Sequence, residues 1–405
     1  MSAAKQETED AGRLPIIPVL LATTATQSLT TLGALALASV APRAAADLGV
    51  SPALIGYQVA VVYLGAMVTA PVGGGLVKRL GATRTSQSAL WLVAAGCLLS
   101  ALGTLPTLAA GALVIGFGYG ITNPAASQLL SRVPTARNMN LIFSIKQTGV
   151  PIGGILAGIL VPPLTLALGW QAALVVCAAL LAALSIAMHP AQRAWDVDRD
   201  PAARAFARPL ESIALVWRNP ILRWLALSSF VYSAAQLCLA GFLATYLVAE
   251  VGLGLVVAGT VLAATHAAGA AGRLAWGWLA DRVRSGTAAM IALGVLGMAG
   301  ALATAAVSPQ WPLPLVAVAT ALFGFCAMGW NGVFMAVIAR QAPQAIGAAT
   351  GGSLTITYGG IVLGPAAFGA LHDYAGMSWG SAFALLGLVM AAGVACVAQA
   401  RRNIR

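Results

Sequence analysis

The chain has 405 residues, of which 60% are hydrophobic and 8% are charged, and its mean hydropathy is +0.88. A water-soluble core cannot bury so much apolar surface, so the composition excludes a soluble globular protein and indicates a protein of the lipid bilayer. The net charge of +11 does not indicate nucleic-acid binding here, because the placement of basic residues in a membrane protein reports topology.

Twelve segments reach the roughly 20 apolar residues that a membrane-spanning helix needs. In chain order we predict helices 1 to 12 over residues 16–40, 54–77, 86–104, 106–131, 139–162, 169–188, 221–247, 255–280, 286–307, 313–339, 346–370 and 378–399. The first segment is too long for the hydrophobic region of a signal peptide, so we expect it to be retained as helix 1. We predict an all-α membrane protein.

Basic residues concentrate in alternate loops. Of the 22 lysines and arginines, 19 fall in the two tails or in the even-numbered loops, and only Arg43 falls in an odd-numbered loop. By the positive-inside rule, both termini of this multi-pass chain are expected to be cytoplasmic, in a bacterial-type inner membrane.

One long polar stretch, residues 189–220, divides the chain. We predict a cytoplasmic tail over residues 1–15, a six-helix bundle over 16–188, a solvated linker without a chemical role over 189–220, a second bundle over 221–399, and a cytoplasmic tail over 400–405. All five cysteines lie inside predicted helices, where cysteine usually packs as a small apolar residue, so we expect no disulfide. We also expect no metal site.

The two bundles are an internal duplication. Corresponding residues keep an offset of roughly 203 to 209 positions, which a chance resemblance would not maintain. The matched pairs are Gln27 with Gln236, Gly116 with Gly324, Asn123 with Asn331, Arg132 with Arg340, and Trp170 with Trp379. Parallel repeats with a substrate site near the midplane are typical of one class of secondary transporter.

Two loop motifs extend this pattern. The loop after helix 2 reads GGLVKRLGATR (74–84), and the corresponding loop after helix 8 reads GWLADRVRSG (277–286). The chain thereby resembles the major facilitator superfamily over its whole length, because that family carries G-x-x-x-D-R-x-G-x-x-R between these helices. Lys78 departs from the pattern by replacing the acid, whereas the second copy keeps it as Asp281.

The resemblance implies a pair of six-helix bundles that work by alternating access. It also implies that the signature loops form charged contacts that hold one conformation and release in another. The residues carried over for this gating role are Gly74, Arg79, Gly81, Arg84, Gly277, Asp281 and Arg282. Drug-exporting members carry an Arg in helix 4 where this chain has Ala112, and their Gly-Pro motif in helix 5 is only loosely matched by Gly149-Val150-Pro151, so drug export is disfavoured.

The ionisable residues inside the predicted helices are all basic. Lys146 lies in helix 5, and His266 and Arg273 lie in helix 8, whereas all eleven acids map to tails, loops or helix ends. A charge at the bilayer centre costs about 2.5 to 3.5 kcal/mol, and two would cost roughly 5 to 7 kcal/mol, so a bound anion is the expected counter-charge. Arg suits a carboxylate through its planar fork, and Lys supplies a point charge.

The position of Arg273, four residues before Gly277, also resembles helix 8 of the monocarboxylate and oxalate carriers, where the matching Arg binds the substrate carboxylate. Neither cation recurs in the other half, where Ala70 and either Leu354 or Thr355 stand at the equivalent positions. Both cations have a structural alternative: Lys146 could extend to the cytoplasmic surface, and Arg273 could bond helix-end carbonyls.

We therefore expect an organic-anion carrier of this superfamily, moving a mono- or dicarboxylate by proton symport or by anion exchange. The candidate substrate-binding residues are Arg273, Lys146, Gln27, Gln236, Asn123, Asn331, Tyr232 and Tyr358. His266 is the candidate for proton coupling, because its unperturbed pKa is near 6.5, and a buried histidine of the core is its alternative. The amides could equally bond helix to helix.

Two other functions stay open. The first is an exporter of neutral or amphipathic compounds, in which the cations are structural, and the second is a membrane sensor that binds a ligand without net transport. An enzyme is not expected, because the sequence shows no nucleophile, metal-ligand cluster or phosphate loop placed for chemistry. The expected partners are a small anion, protons and the bilayer, without a cofactor or nucleic acid, and the expected working unit is a monomer.

Overall fold

The computed structural model describes residues 14–50, 52–133, 137–205 and 209–404. Within these ranges the chain forms twelve long helices, as the sequence predicts. In the first half they are α1 (Ile16–Ser39), α2 (Pro52–Thr69 continuing as Gly73–Leu80), α3 (Ala82–Ser100), α4 (Leu105–Ser131), α5 (Met139–Gln147 continuing as Gly149–Leu168) and α6 (Trp170–Ala187).

The second half repeats the pattern. Its helices are α7 (Pro220–Ala249), α8 (Leu255–Arg282), α9 (Gly286–Ala305), α10 (Leu313–Ala327 continuing as Trp330–Gln341), α11 (Ile346–Asp373) and α12 (Trp379–Ile404). Short helices cover Ala41–Leu48, Gln192–Trp195 and Pro209–Arg218, and we call the last of these the linker helix. The predicted N-terminal tail lies almost wholly outside the described residues, whereas α12 continues through the predicted C-terminal tail as far as Ile404.

Local sequence explains where several helices begin. Asn219 accepts hydrogen bonds from the backbone N–H groups of Ile221 (3.0 Å) and Leu222 (3.3 Å), and Pro220 occupies the first position of α7, where its missing N–H is not needed. Thr104 and Thr107 form a reciprocal capping box at the start of α4. Each such cap is worth about 1 kcal/mol.

Hydropathy separates the helices into two groups. Of the helices in the described ranges, ten are long and apolar enough by themselves to cross a membrane. The other two are α3, which opens with the polar run from Thr83 to Ser88, and α8, which carries His266 and Arg273. The polar residues of these two helices need other helices or water around them.

Close contacts at glycine join the helices of each half in the same way. A Cβ atom added to Gly116 of α4 would lie 2.2 Å from the carbonyl oxygen of Val62 in α2. A Cβ atom added to Gly324 of α10 would lie 2.5 Å from the carbonyl oxygen of Thr265 in α8. Glycine at these matched positions lets two backbones approach, as is typical of membrane helices.

The first residue of both α6 and α12 is a tryptophan that donates a hydrogen bond to an acidic side chain. The indole N–H of Trp170 donates to Asp47 (3.1 Å), whose short helix follows α1. The backbone N–H of Trp379 donates to Glu250, the residue that follows α7. The duplication that the sequence predicts therefore extends to the acid that receives each of these hydrogen bonds.

The chain divides into two compact units, which follow the predicted halves with two exceptions. The first unit comprises Met1–Arg137, Ile145–Leu215 and Ala342–Thr355, and the second comprises Asn138–Ser144, Val216–Gln341 and Ile356–Arg405. The first turns of α5 therefore pack with the second half, and the first turns of α11 pack with the first half. The linker belongs to the first unit as far as Leu215.

Candidate functional site

A buried ammonium group forms the centre of the first unit. Lys146, which is 2% exposed, donates from Nζ to the amide oxygens of Gln27 (2.7 Å), Asn123 and Gln147 (3.3 Å). We call these four residues the lysine cluster. An ammonium group has three donors, and three neutral oxygens accept them, so the charge is solvated by dipoles from α1, α4 and α5. Lys146 points into the helix bundle, which excludes extension to the surface in this structure.

The backbone of α5 places Lys146. The helix breaks at Thr148, whose hydroxyl donates to the carbonyl oxygen of Ile145 (2.6 Å), and Lys146 is the last residue but one of the first segment. Directly after the break, a Cβ atom at Gly149 would lie 2.7 Å from the carbonyl oxygen of Thr24 and 2.8 Å from Cβ of Gln27. This close approach of α5 to α1 brings the lysine within reach of Gln27.

The second unit carries the same amide pair without a cation between the two side chains. The side-chain oxygen of Gln236 accepts from Asn331 Nδ2 (3.2 Å) and from Trp330 Nε1 (3.2 Å). Gln236 and Asn331 are half-buried, whereas Gln27 and Asn123 are 0% and 6% exposed. The matched glutamine and asparagine of each half therefore lie close together, bridged by Lys146 in the first unit and bonded directly in the second.

Arg273 is the buried cation of the second unit. It is 4% exposed and donates from Nε to the carbonyl oxygen of Met328 (3.1 Å), at the break between the two segments of α10. Gly272 allows the contact, because a Cβ atom there would lie 2.1 Å from the carbonyl oxygen of Phe325. A carbonyl at a helix break is a suitable acceptor for a guanidinium, as the structural alternative for Arg273 requires.

Three other candidates differ in their surroundings. His266 is exposed on the protein surface, two helical turns before Arg273 on the same face of α8. Tyr232 is 0% exposed and donates its hydroxyl to the carbonyl oxygen of Met290 (3.2 Å), which places it among packed helices. Tyr358 is buried in α11.

Two glycines of the signature motifs make matched close contacts. A Cβ atom at Gly74 would lie 2.4 Å from the backbone nitrogen of Ala348 in α11, within the first unit. A Cβ atom at Gly277 would lie 2.3 Å from Oγ of Ser144 in α5, within the second unit. The end of α2 thus packs on the start of α11, and the end of α8 packs on the start of α5.

Asp281 ties the end of α8 to the start of α5. Its carboxylate accepts hydrogen bonds from the backbone N–H groups of Asn140 (3.1 Å) and Leu141 (2.8 Å) and from Asn140 Nδ2 (2.7 Å), and it lies 3.6 Å from Arg340 Nη2. A carboxylate at a helix N-terminus is favoured by the helix dipole. Arg282 is exposed and lies 5.5 Å from the ring of Trp278.

The first signature copy is arranged differently. Lys78 and Arg79 are exposed, and Gly81 adopts a φ of +94°, which favours glycine. The backbone N–H of Arg84 donates to the linker residue Asp196 (3.1 Å), and its guanidinium lies 3.8 Å from the same carboxylate. Burial raises the pKa of Asp196, and the N–H donors of Thr83 and Arg84 oppose that shift.

Sequence reasoning missed several residues of these contacts. Gln147 could have been found, because it follows Lys146 in the polar run Lys146-Gln147-Thr148. Ser144 and Asp196 gave no usable signal, because a serine near a helix start and an acid in a polar loop are both common. Their positions depend on contacts between elements distant in the sequence.

The fold resembles several solved transporter structures. The E. coli fucose:proton symporter FucP is 17% identical with a TM-score of 0.73 over 96% of this chain and 99% of that chain. The human organic anion transporter MFSD10 is 15% identical with a TM-score of 0.75 over 95% and 100% of the chains. The proton:xylose symporter XylE is 15% identical with a TM-score of 0.71 over 94% of each chain. At these identities the likeness shows the fold alone.

Of the curated proteins, none matches this sequence. The family model described as Major Facilitator Superfamily matches residues 23–353, which is most of the chain. That match runs from α1 into the start of α11 and includes both signature loops. The chain therefore belongs to the major facilitator superfamily: it is a multi-pass membrane protein and a secondary transporter of a small substrate, and it is not an enzyme.

Proposed function

We propose that this transporter moves a small organic anion, a mono- or dicarboxylate, across the inner membrane, with both of its termini in the cytoplasm. The observation that carries the proposal is the ammonium group of Lys146, which is 2% exposed in the middle of the first unit and is solvated by the oxygens of Gln27 and Asn123. The dipoles of three amide groups lower the free-energy cost of burying this charge, but they do not neutralise the charge.

The distribution of charge along the sequence supports an anion rather than a cation. Lys146 and Arg273 lie well inside their helices, whereas the eleven acids fall in tails and loops or near helix ends. An arriving carboxylate would lower the energy of a buried basic group beside it, whereas an arriving cation would raise it. In this proposal Arg273 binds the carboxylate through its fork, Lys146 adds a point charge, and the amides bond the remaining polar atoms.

A second candidate function is transport of a neutral or amphipathic solute. The observation that favours it is that the protein itself supplies acceptors to both cations: three amide oxygens to Lys146 and a backbone carbonyl to Arg273. Groups bonded in this way can be structural. The similar structures favour neither candidate, since two are of sugar:proton symporters and one is of an organic anion transporter.

The gating assignments belong to the same proposal. Gly74, Gly277 and Asp281 hold the starts of α11 and α5, and we propose that these contacts form in one transport state and separate in another. His266 remains the proposed residue for proton coupling, anion exchange being the alternative mechanism, and the proposed working unit is a monomer.

The experiment is a thermal-stability screen of the purified protein with small carboxylates, inorganic anions and neutral sugars. A ligand that binds only the folded state raises stability by RT ln(1 + [L]/Kd), about 2.7 kcal/mol at 100 times Kd. The screen includes Lys146→Gln and Arg273→Gln, which remove charge but keep polar groups. Arg218→Gln is the matched control, because Arg218 is exposed and has no proposed role in binding or gating.

We expect certain carboxylates to stabilise the wild-type protein and the Arg218 variant. The same carboxylates should bind the Lys146 and Arg273 variants with an apparent Kd at least tenfold higher, equivalent to about 1.4 kcal/mol. Vesicle flux of the stabilising compound then separates a transporter of that anion from a sensor. Stabilisation by neutral sugars alone, or equal responses of all variants, would favour the neutral-solute function and make both cations structural.

A further inference from the structure

The linker between the two halves supplies carboxylates to helices of the first unit. Asp196 is 3% exposed, and its two oxygens accept hydrogen bonds from the backbone N–H groups of Thr83 (2.7 Å) and Arg84 (3.1 Å). These are the first N–H groups of α3, which have no partner within the helix. Gly81 leaves room for this contact, since a Cβ atom there would lie 2.3 Å from Cγ of Asp196.

A second linker acid binds the end of α4. Asp198 accepts hydrogen bonds from Arg132 Nη1 (3.1 Å) and from Gln128 Nε2 (3.1 Å). Arg132 Nη1 also donates to the carbonyl oxygen of Trp195 (2.7 Å), so the same guanidinium holds both backbone and side chain of the linker. Residues 195–198 therefore connect the start of α3 with the end of α4.

The second half builds the corresponding contact from its own signature acid. Arg340, the repeat equivalent of Arg132, lies 3.6 Å from Asp281. The first signature has Lys78 where that acid would stand, and Lys78 is exposed. In the first half the arginine at the end of the fourth helix therefore receives its carboxylate from the linker and not from position 78.

Further linker contacts cover the end of α2. The hydroxyl of Ser212 donates to the carbonyl oxygen of Pro71 (2.6 Å), and the backbone N–H of Asp200 donates to the carbonyl oxygen of Lys78 (2.7 Å). A Cβ atom at Gly75 would lie 2.6 Å from the carbonyl oxygen of Ala205. The linker thus forms hydrogen bonds to α2, α3 and α4 through the five residues Trp195, Asp196, Asp198, Asp200 and Ser212, too many for a freely solvated connection.

We propose that Asp196 and Asp198 form a linker latch that replaces the acid missing from position 78 and fixes the ends of α2, α3 and α4 in the first unit. The latch proposal does not depend on the identity of the substrate, because none of the latch residues belongs to the lysine cluster or lies beside Arg273. Asp196 and Asp198 are positioning residues: they act through the helices and not on the solute.

The test compares three acid-to-amide variants of the full-length protein by amide hydrogen exchange. We expect Asp196→Asn to speed exchange at the start of α3 by about tenfold, because two buried N–H groups lose a charged acceptor. We expect Asp198→Asn to speed exchange at the end of α4 by about threefold, since this ion pair is partly exposed. Asp200→Asn is the matched control, because its carboxylate is exposed and, among the described residues, accepts a local bond from the backbone N–H of Ala202 (3.0 Å).

A charge swap tests whether Asp198 substitutes for the acid missing from position 78 or simply anchors the linker. Adding Lys78→Asp to Asp198→Asn returns an acid to the signature position, where the matching Asp281 of the second half lies 3.6 Å from Arg340, and should restore slow exchange at the end of α4. Lys78→Ala in the same background should not. Equal exchange in all three acid variants, or loosening by Asp198→Asn that Lys78→Asp fails to reverse, would overturn the latch.

Discussion

The matched glutamine and asparagine side chains make different contacts in the two halves, and Lys146 accounts for the difference. In the first unit Gln27 and Asn123 turn their oxygens toward its ammonium group, whereas in the second unit Asn331 donates directly to Gln236. The matching stretch of α11, residues 350–355, contains no charged residue. The second unit therefore shows the arrangement that the amides adopt when no cation lies between them.

This difference predicts unequal costs for two substitutions in the lysine cluster. Lys146→Leu should lower the free energy of unfolding by only about 1 kcal/mol, because Gln27 and Asn123 can bond each other as their counterparts do. Asn123→Leu should cost about 3 kcal/mol, because it removes an acceptor from a buried ammonium group. Thermal unfolding of the purified variants measures both.

The control is Asn331→Leu, which removes a neutral hydrogen bond in the second unit and should cost about 1 kcal/mol. If Lys146→Leu proves more costly than Asn123→Leu, the lysine stabilises the fold and the argument for a charge kept for its ligand fails.

At the scale of elements, glycine decides where helices can touch. Along α8, a Cβ atom at Gly277 would lie 2.3 Å from Oγ and 2.6 Å from Cβ of Ser144, whereas nothing lies within 4 Å of a Cβ atom at Gly259. Two glycines of one helix therefore have different structural roles. The sequence marks Gly277 as part of the signature motif, but it does not show which residue either glycine contacts.

Substitution by alanine should separate these two glycines. Gly277→Ala should lower the free energy of unfolding by about 1 to 3 kcal/mol, because the added methyl group overpacks the contact between α8 and α5. Gly259→Ala, in the same helix, should be neutral or stabilising by up to about 1 kcal/mol, because alanine is the better helix former. Thermal unfolding again provides the measurement, and equal effects at the two positions would show that the contact at Ser144 can relax.

At the scale of the whole molecule, each half pairs the arginine at the end of its fourth helix with a carboxylate, but the carboxylate comes from a different segment in each half. Asp281 binds Arg340 and the start of α5 from within its own signature motif. In the first half the linker acids bind Arg132 and the start of α3. The segment 138–144 belongs to the second unit and the segment 342–355 to the first. Each unit therefore contains the start of a helix from the other half.

Loss of charge at Asp281 should release the start of α5. In a background without the native cysteines, Ser144→Cys should react with a thiol reagent about tenfold faster when Asp281→Asn is added, because the carboxylate accepts three hydrogen bonds at that helix start. Asp373→Asn, at the end of α11, should leave the rate unchanged. An unchanged rate in the Asp281 variant would contradict the proposed gating role of this acid.

The sequence alone determined the twelve helices, their order and the duplication, because the bilayer demands long apolar segments and a repeat keeps its spacing. It also selected Lys146 and Arg273, since basic residues inside such segments are conspicuous. The breaks in α5 and α10 were not predicted, because a helix with a single irregular turn keeps its apolar length.

Only the tertiary structure decided which polar groups meet. Lys146 points to Gln27 and not to the surface because Gly149 brings α5 against α1, and that approach depends on residues 119 positions apart. The linker looked like a solvated loop because its acids are ordinary in composition, and their partners at Thr83, Arg84 and Arg132 adjoin them only after the chain has folded. A sequence shows which residues a chain carries, but hydrogen bonds form between atoms that the fold has brought within 3 Å or so.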